Sequence, residues 1–304
     1  MPPKFDKNNY TDIQKKNIAL QIKDISQEEA IKDFDNLKKI ACNGKDNNLS
    51  RVGNKVVDRF TIGERLETKG KKGINFYDLY YNRFKLTQPS IESLLKYNDT
   101  DTENATVKNW YSIMNLYYGS ISIFRPLIAI EAYCKYKPTA ILDFTMGWGG
   151  RLVGACALDI KKYIGIDNNK DLRKPYTELK KLMNKHSNTD IELYFTDAVK
   201  FDYSKLEYDM VLTSPPYYNI EEYEGQVTKT KDEWDRDFYE PVFRNTFNNM
   251  KNRGYYCLNI PEELYERVAL KLFKKPTHKI RLNIKKRKSE SKYKEFIYVW
   301  KKNI

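Results

Sequence analysis

The run Ser214-Pro215-Pro216-Tyr217 carries the most specific chemistry in this 304-residue chain. It follows Asp209-Met-Val-Leu-Thr, an apolar stretch that reads as a buried strand. Two consecutive prolines fix the backbone and remove two amide donors, leaving carbonyl groups outward with no competing N–H. Ser214 and the Pro215 carbonyl then form a pair of acceptors able to hold both hydrogens of one exocyclic amine. Tyr217 adds a flat face against which a base can stack, with Tyr218 beside it. A rigid strand-to-loop stop is the plainer alternative.

Upstream, Asp143-Phe-Thr-Met-Gly-Trp-Gly-Gly lies between a strand-like Ala140-Ile-Leu-Asp-Phe and a helix-like Arg151-Leu-Val-Gly-Ala-Cys-Ala-Leu. Glycine belongs where φ is positive and where backbone must approach a ligand closely. No Gly-Lys-Ser/Thr follows, so the turn is not a P-loop, and GxGxxG is incomplete. Asp167 ends the next strand, 24 positions after Asp143, where nucleoside-binding folds place a carboxylate for ribose hydroxyls. Asp197, in Phe195-Thr-Asp-Ala, ends a third strand, placed to accept from an adenine amino group. Each acid alone is as readily a helix cap. Three in succession at strand ends favour a nucleoside cofactor.

From about residue 121 strands alternate with helices: Pro126–Cys134 as helix, Tyr163–Asp167 as strand, Leu172–Lys185 as helix, Ile191–Phe195 as strand, about Trp234–Met250 as helix, then Tyr255–Ile260 as strand. That alternation predicts a Rossmann-like, doubly wound, mostly parallel sheet of seven strands. The closing stretches His278–Ile284 and Glu295–Lys301 read as a hairpin supplying an antiparallel last strand at the sheet edge. Residues 1–120 read as a mixed helical extension before a domain at 121–304: one helical pattern from Ile18 to Ile40, a strand-like Lys55–Ile62, and a helical Phe76–Tyr81.

Lys and Arg number 54 against 41 Asp and Glu, a formal charge of +13. From Lys271 to Ile304 there are 13 basic residues and two acids, whereas the rest is nearly balanced. A concentrated basic segment suits a polyanion gripped at one place. A solvated, self-repelling tail is the competing reading. Cys42, Cys134, Cys156 and Cys257 are scattered, and His186 and His278 are the two histidines. That spacing argues against a disulfide framework and a Cys/His zinc site, so no metal is expected, and for a reducing, intracellular setting. No apolar run is long enough for a membrane span.

With these motifs in place, the chain resembles the S-adenosyl-L-methionine-dependent amino-methyltransferases, which modify exocyclic amines, chiefly of adenine and cytosine in DNA. The resemblance covers about residues 121–301. It implies that Ser214, Pro215, Pro216 and Tyr217 form the catalytic motif. It implies cofactor contacts at Phe124, Pro126, Asp143, Thr145, Gly147, Gly149, Asp167, Asn168, Asp197 and Ala198. The family's usual Phe before the glycines is Thr145 here, with Phe144 one position earlier. The implied reaction is in-line transfer dominated by positioning. Ring-carbon methylation would need a cysteine nucleophile at the catalytic loop, and none of the four lies there.

A duplex target would have to be flipped out, with Tyr217 as the stacking face. Residues 219–231 then read as a closing loop, with Lys229 and Lys231 as phosphate contacts. Ser at the motif's first position leans toward cytosine N4, adenine N6 close behind. Only 17 positions separate Asp197 from Ser214, leaving no room there for a recognition domain. Target reading falls to residues 1–120, a partner or a short contact from the closing hairpin, with a homodimer or a separate specificity partner as the expected assemblies. RNA or a protein glutamine as target, or a non-catalytic nucleic-acid-binding scaffold, remain the alternatives.

Overall fold

A computed structural model describes residues 5–43, 50–70, 72–86, 89–218, 229–282 and 295–303. Six helices lead: α1 (Asp12–Ile22), α2 (Gln27–Ile40), α3 (Asn54–Glu67), α4 (Phe76–Tyr81), α5 (Pro89–Tyr97) and α6 (Val107–Ile113). Then come α7 (Pro126–Tyr136), β1 (Ala140–Asp143), α8 (Gly150–Ala157), β2 (Lys162–Asp167), α9 (Arg173–His186), β3 (Asp190–Phe195) and β4 (Met210–Thr213). The chain closes with α10 (Lys231–Trp234), a π-helical turn Asp235–Tyr239, α11 (Glu240–Asn249), β5 (Tyr255–Pro261), β6 (His278–Arg281) and β7 (Glu295–Lys301).

The described residues form two compact units. One takes residues within 5–27 and 58–122; the other takes those within 28–57, 123–218 and 229–303. The first unit is helical, packed around Trp110, Phe76, Tyr77, Leu79 and Ile91. The segment expected as a strand at Lys55–Ile62 is helix α3. An eight-residue window shows apparent alternation, but the buried positions Val57, Asp58, Thr61 and Arg65 recur at helical spacing. Asp58 and Arg65, both buried, pair along that face. The single helix expected from Ile18 to Ile40 is two, α1 and α2, because Lys23 turns extended at φ −145° with no Gly or Pro to announce it.

The second unit holds one seven-stranded sheet in the order β3-β2-β1-β4-β5-β7-β6. Six strands run parallel and β7 runs against them, pairing antiparallel with β5 and β6. This is the Rossmann-like, doubly wound sheet expected, with its last strand reversed. The reversed strand, however, is internal, and β6 forms the edge. Ile297, Tyr298, Val299 and Trp300 are all buried on β7, so both faces need cover, while His278, Lys279 and Arg281 leave β6 to solvent. Residues 283–294, with six of the 13 basic residues of that segment, lie outside the described residues.

Cys42 and Cys134 are joined by a disulfide, contrary to the expectation from their spacing. They lie 92 residues apart in sequence, yet the turn after α2 packs on α7 and brings their Cα atoms to 5.6 Å. Cys156 and Cys257 are free and buried. Among the described residues no helix is long and apolar enough to cross a membrane.

Candidate functional site

Strand order reverses between β1 and β4: the chain winds outward through β2 and β3 on one side and through β5 on the other. Ligands bind doubly wound sheets at the carboxyl ends of strands flanking such a switch point. The glycine turn leaves the end of β1, and Ser214–Tyr217 leaves the end of β4. Parallel pairing of Ile141 with Met210 and Leu142 with Val211 brings the two exits side by side.

The turn is built around a buried carboxylate. Asp143 is fully buried and accepts from Arg151 Nε at 2.7 Å, Tyr163 Oη at 2.6 Å and Thr213 Oγ1 at 2.8 Å. Thr213 Oγ1 gives its hydrogen to that carboxylate, so Thr145 Oγ1, 2.6 Å away, donates to Thr213. This chain ties the turn directly to the residue preceding Ser214. Asp143 therefore anchors the site, its buried carboxylate taken up by three internal donors. Thr145 serves the same link, while Phe144 is buried against Phe243, centroids 6.1 Å apart.

Gly147 and Gly149 have φ of +54° and +94°, the left-handed region that side chains with Cβ avoid. Gly150 needs the absence of a side chain for another reason: a Cβ there would sit 1.7 Å from the Phe124 carbonyl oxygen. Phe124, half-buried, lies against the Arg151 guanidinium at 4.9 Å, and Pro126 is buried in the first turn of α7. Tyr176 of α9 donates to the Met146 and Gly147 carbonyls at 3.0 Å, tying the turn to that helix.

At the end of β2, Asp167 accepts from Gly147 N at 2.8 Å and Asn169 N at 2.9 Å. Burial pushes its carboxyl up to about 6, partly offset by those two amides; the charge of Asp143 raises it further and that of Arg151 lowers it. Asn168 is exposed. At the end of β3, Asp197 Oδ1 accepts from Val199 N at 2.9 Å, and the Ala198 carbonyl is taken by Tyr203 Oη at 2.7 Å. Asp143, Thr145, Gly147 and Gly149 follow the end of β1, Asp167 and Asn168 lie at the end of β2 and Asp197 and Ala198 follow β3, while Phe124 and Pro126 lie at the start of α7. Asp143 and the Ala198 carbonyl are taken up by side-chain donors, whereas among the described residues the carboxylates of Asp167 and Asp197 accept only main-chain amides.

The Ser-Pro-Pro-Tyr corner is held from two sides. Tyr239 Oη donates to the Pro216 carbonyl at 2.6 Å and accepts from Tyr218 N at 3.0 Å. Pro216's carbonyl therefore turns inward; of the two prolines, only Pro215 keeps a carbonyl that accepts no hydrogen bond among the described residues. Tyr218 adopts φ +54°, a strained conformation for a residue with a Cβ, and its ring is buried with its hydroxyl on Asp235 at 3.0 Å. It is not a second stacking face. Tyr217 is half-buried, its hydroxyl 3.0 Å from Ser214 Oγ, 3.0 Å from the Asn259 carbonyl and 3.1 Å from Asn259 Oδ1. Lys229 and Lys231 form surface pairs with Asp237 and Glu263. Residues 219–228 lie outside the described residues.

Sequence reasoning missed Thr213, Tyr239 and Asn259. Asn259 did carry a signal, being a polar amide inside the apolar run Tyr255–Ile260. Tyr239 had none, since a tyrosine on an amphipathic helix reads as core. Among the described residues no group of three His, Cys, Asp or Glu is placed to hold a metal ion.

No family model and no curated protein matches the chain. Solved structures with a similar course of chain include TrmN from Thermus thermophilus, 17% identical, TM-score 0.42, aligned over 58% of this chain and 48% of that one. An rRNA methylase from Streptococcus thermophilus is 14% identical, TM-score 0.39, over 60% of this chain and 99% of that one. An O-methyltransferase from a trans-AT PKS multienzyme of Brevibacillus brevis, in complex with S-adenosyl-L-homocysteine, is 16% identical, TM-score 0.31, over 45% and 41%. At these values the likeness says nothing of what this chain binds or acts on.

Proposed function

We propose that the protein is an S-adenosyl-L-methionine-dependent methyltransferase acting on the exocyclic amine of a DNA base, cytosine N4 ahead of adenine N6. The observation that carries this reading is the juxtaposition at the switch point. A glycine turn followed by two strand-end carboxylates stands beside a proline-stiffened corner with two oxygen acceptors, the two tied together through Thr145 and Thr213.

The residues fit the cofactor. Asp167 is a carboxylate whose burial is only partly met by two amides, so the paired hydroxyls of a ribose would supply the missing donors. Asp197 has one oxygen bonded to Val199 N, leaving the other for an adenine amino group. At Gly147 nothing approaches the position of a Cβ closer than 3.9 Å, so the turn offers backbone and space rather than packing. Bound there, S-adenosyl-L-methionine supplies a methyl on a sulfonium, whose C–S electron pair stays on sulfur as the amine lone pair forms the N–C bond.

The chain's own contribution is positional. Ser214 Oγ and the Pro215 carbonyl would each accept a hydrogen bond from the amine, which draws the nitrogen pyramidal and frees its lone pair from the ring, and the methylated nitrogen then releases one proton to water. The same oxygens stabilise positive charge as it develops on nitrogen. Tyr217, its hydroxyl pinned, presents a fixed ring for the flipped base. Cys156 and Cys257 are buried, and their thiols are pushed far up by burial, so neither serves as a nucleophile for ring-carbon chemistry.

Transfer of tritiated methyl to duplex DNA, RNA and a glutamine peptide, for the wild type and Ser214→Ala, tests the reading. Label entering DNA, and lost in the variant while cofactor binding persists, supports it. Label entering only RNA or peptide, or none at all, overturns it.

A further inference from the structure

We infer that Asn259 is a positioning residue that sets the direction of a hydrogen-bond chain through Tyr217 and makes Ser214 an acceptor-only group toward the target amine. The inference rests on the function proposed above and deepens it. The β4–β5 register pairs Thr213 with Leu258, which carries Asn259 alongside Ser214. Asn259 is 2% exposed and its amide is oriented: Nδ2 donates to the Phe296 carbonyl of β7 at 3.2 Å. A flipped amide would set Oδ1 against that carbonyl, lone pair to lone pair. Oδ1 therefore faces Tyr217.

Counting hydrogens fixes the rest. The Tyr217 hydroxyl carries one hydrogen, and both Asn259 atoms beside it, the carbonyl oxygen and Oδ1, only accept. The Tyr217 hydrogen goes to them. The Ser214–Tyr217 contact of 3.0 Å is then a bond in which Ser214 donates. With its hydrogen committed, Ser214 Oγ turns only lone pairs toward the substrate, as the Pro215 carbonyl does.

Two consequences follow for the reaction. A serine hydroxyl free to rotate would donate into the amine lone pair, the pair that must attack the methyl; the chain from Asn259 forbids this. A base with a ring carbonyl at that position, such as thymine or guanine, would meet two acceptors with an acceptor of its own. The arrangement thus selects amine over carbonyl at the reacting atom. Tyr217 has two duties, a stacking ring and a hydroxyl that relays orientation.

Steady-state methyl transfer to an oligonucleotide separates the relay from a merely structural role. The variants are Tyr217→Phe, Asn259→Leu and the pair, each with and without Ser214→Asp. A carboxylate at position 214 accepts without any hydrogen to direct, so it needs no relay. In the Ser214 background Tyr217→Phe should lower kcat about tenfold or more, and Asn259→Leu should lower it less, because the main-chain carbonyl at 259 still accepts the Tyr217 hydrogen. KM should stay nearly constant for Tyr217→Phe, and the pair should fall no further than the worse single change. In the Ser214→Asp background both changes should lose their effect.

Factors that multiply, or an equal loss in both backgrounds, would overturn the relay. So would complete inactivity of Ser214→Asp alone. Should Asn259→Leu fail to fold, Tyr217→Phe carries the same test, since its ring remains. A wild type that transfers no methyl to any nucleic acid overturns the proposed function and the relay together. An active wild type with Tyr217→Phe unimpaired overturns the relay only.

Discussion

Replacing Asp167 by Asn should make the folded protein less sensitive to pH while weakening its hold on the cofactor. The Asp167 carboxyl is pushed from 3.8 to about 6 by burial. At about 1.4 kcal/mol per pKa unit, keeping it ionised at neutral pH costs about 3 kcal/mol. The sign is set by proton uptake. Between pH 6 and 4 the folded protein binds a proton that the unfolded chain releases, so this residue adds stability as pH falls and nothing above about pH 7. Linkage with these values makes the wild type about 1.4 kcal/mol more stable at pH 5 than at pH 7.5 through Asp167 alone. An amide does not titrate, so Asp167→Asn lacks that increment. Thermal unfolding of both proteins at the two pH values reads it directly, as a change of about 3 °C in their Tm difference.

Binding should move the other way. The ribose hydroxyls need the ionised form, so cofactor affinity of the wild type should fall about tenfold between pH 7.5 and 5. Asp167→Asn should bind about 10- to 100-fold more weakly at pH 7.5, with that pH dependence gone, from the loss of charge-assisted bonds. Calorimetric titration at both pH values decides it. Parallel stability curves for the two proteins, or unchanged affinity in the variant, would refute the placement of Asp167 as a strained carboxylate awaiting hydroxyl donors.

Other outcomes follow from named contacts. Gly150→Ala should destabilise the fold by about 2–4 kcal/mol in chemical denaturation, because its Cβ meets the Phe124 carbonyl, and it should weaken cofactor binding as the turn shifts. Asp143→Ala leaves the buried Arg151 guanidinium without its carboxylate and should cost about 3–5 kcal/mol by the same measurement. Alkylation followed by mass spectrometry should label Cys42 and Cys134 only after reduction. Cys134→Ser should lower stability by about 4 kcal/mol, from the 92-residue separation that the bond closes.

The parallel sheet was legible because its strands are short apolar runs set off by helices, and the strand-end acids stood out against them. What the residues could not convey was which polar groups spend their hydrogen bonds internally. Asp143 and Asp167 look alike in sequence, each an acid closing an apolar strand. Arg151, Tyr163 and Thr213 close around the first, whereas the second keeps only two amides. Tyr217 and Tyr218 are adjacent and identical, yet a left-handed backbone at Tyr218 sends its ring into the core. Helix α3 was misread because two adjacent valines and a Phe dominate a short window, where the deciding signal is the longer repeat through Arg65. The Cys42–Cys134 bond depends on a contact between the end of α2 and α7, which no local pattern encodes.

The central claim is that a planar amine is held by Ser214 and the Pro215 carbonyl beside a methyl donor in the glycine turn. Incubating the protein with DNA and trideuteromethyl-labelled cofactor, then digesting to nucleosides for mass spectrometry, tests it most directly. The account predicts label on an exocyclic nitrogen, as N4-methylcytosine or N6-methyladenine, and its disappearance with Ser214→Ala. Label on cytosine C5, or a labelled amine that survives Ser214→Ala undiminished, would contradict it.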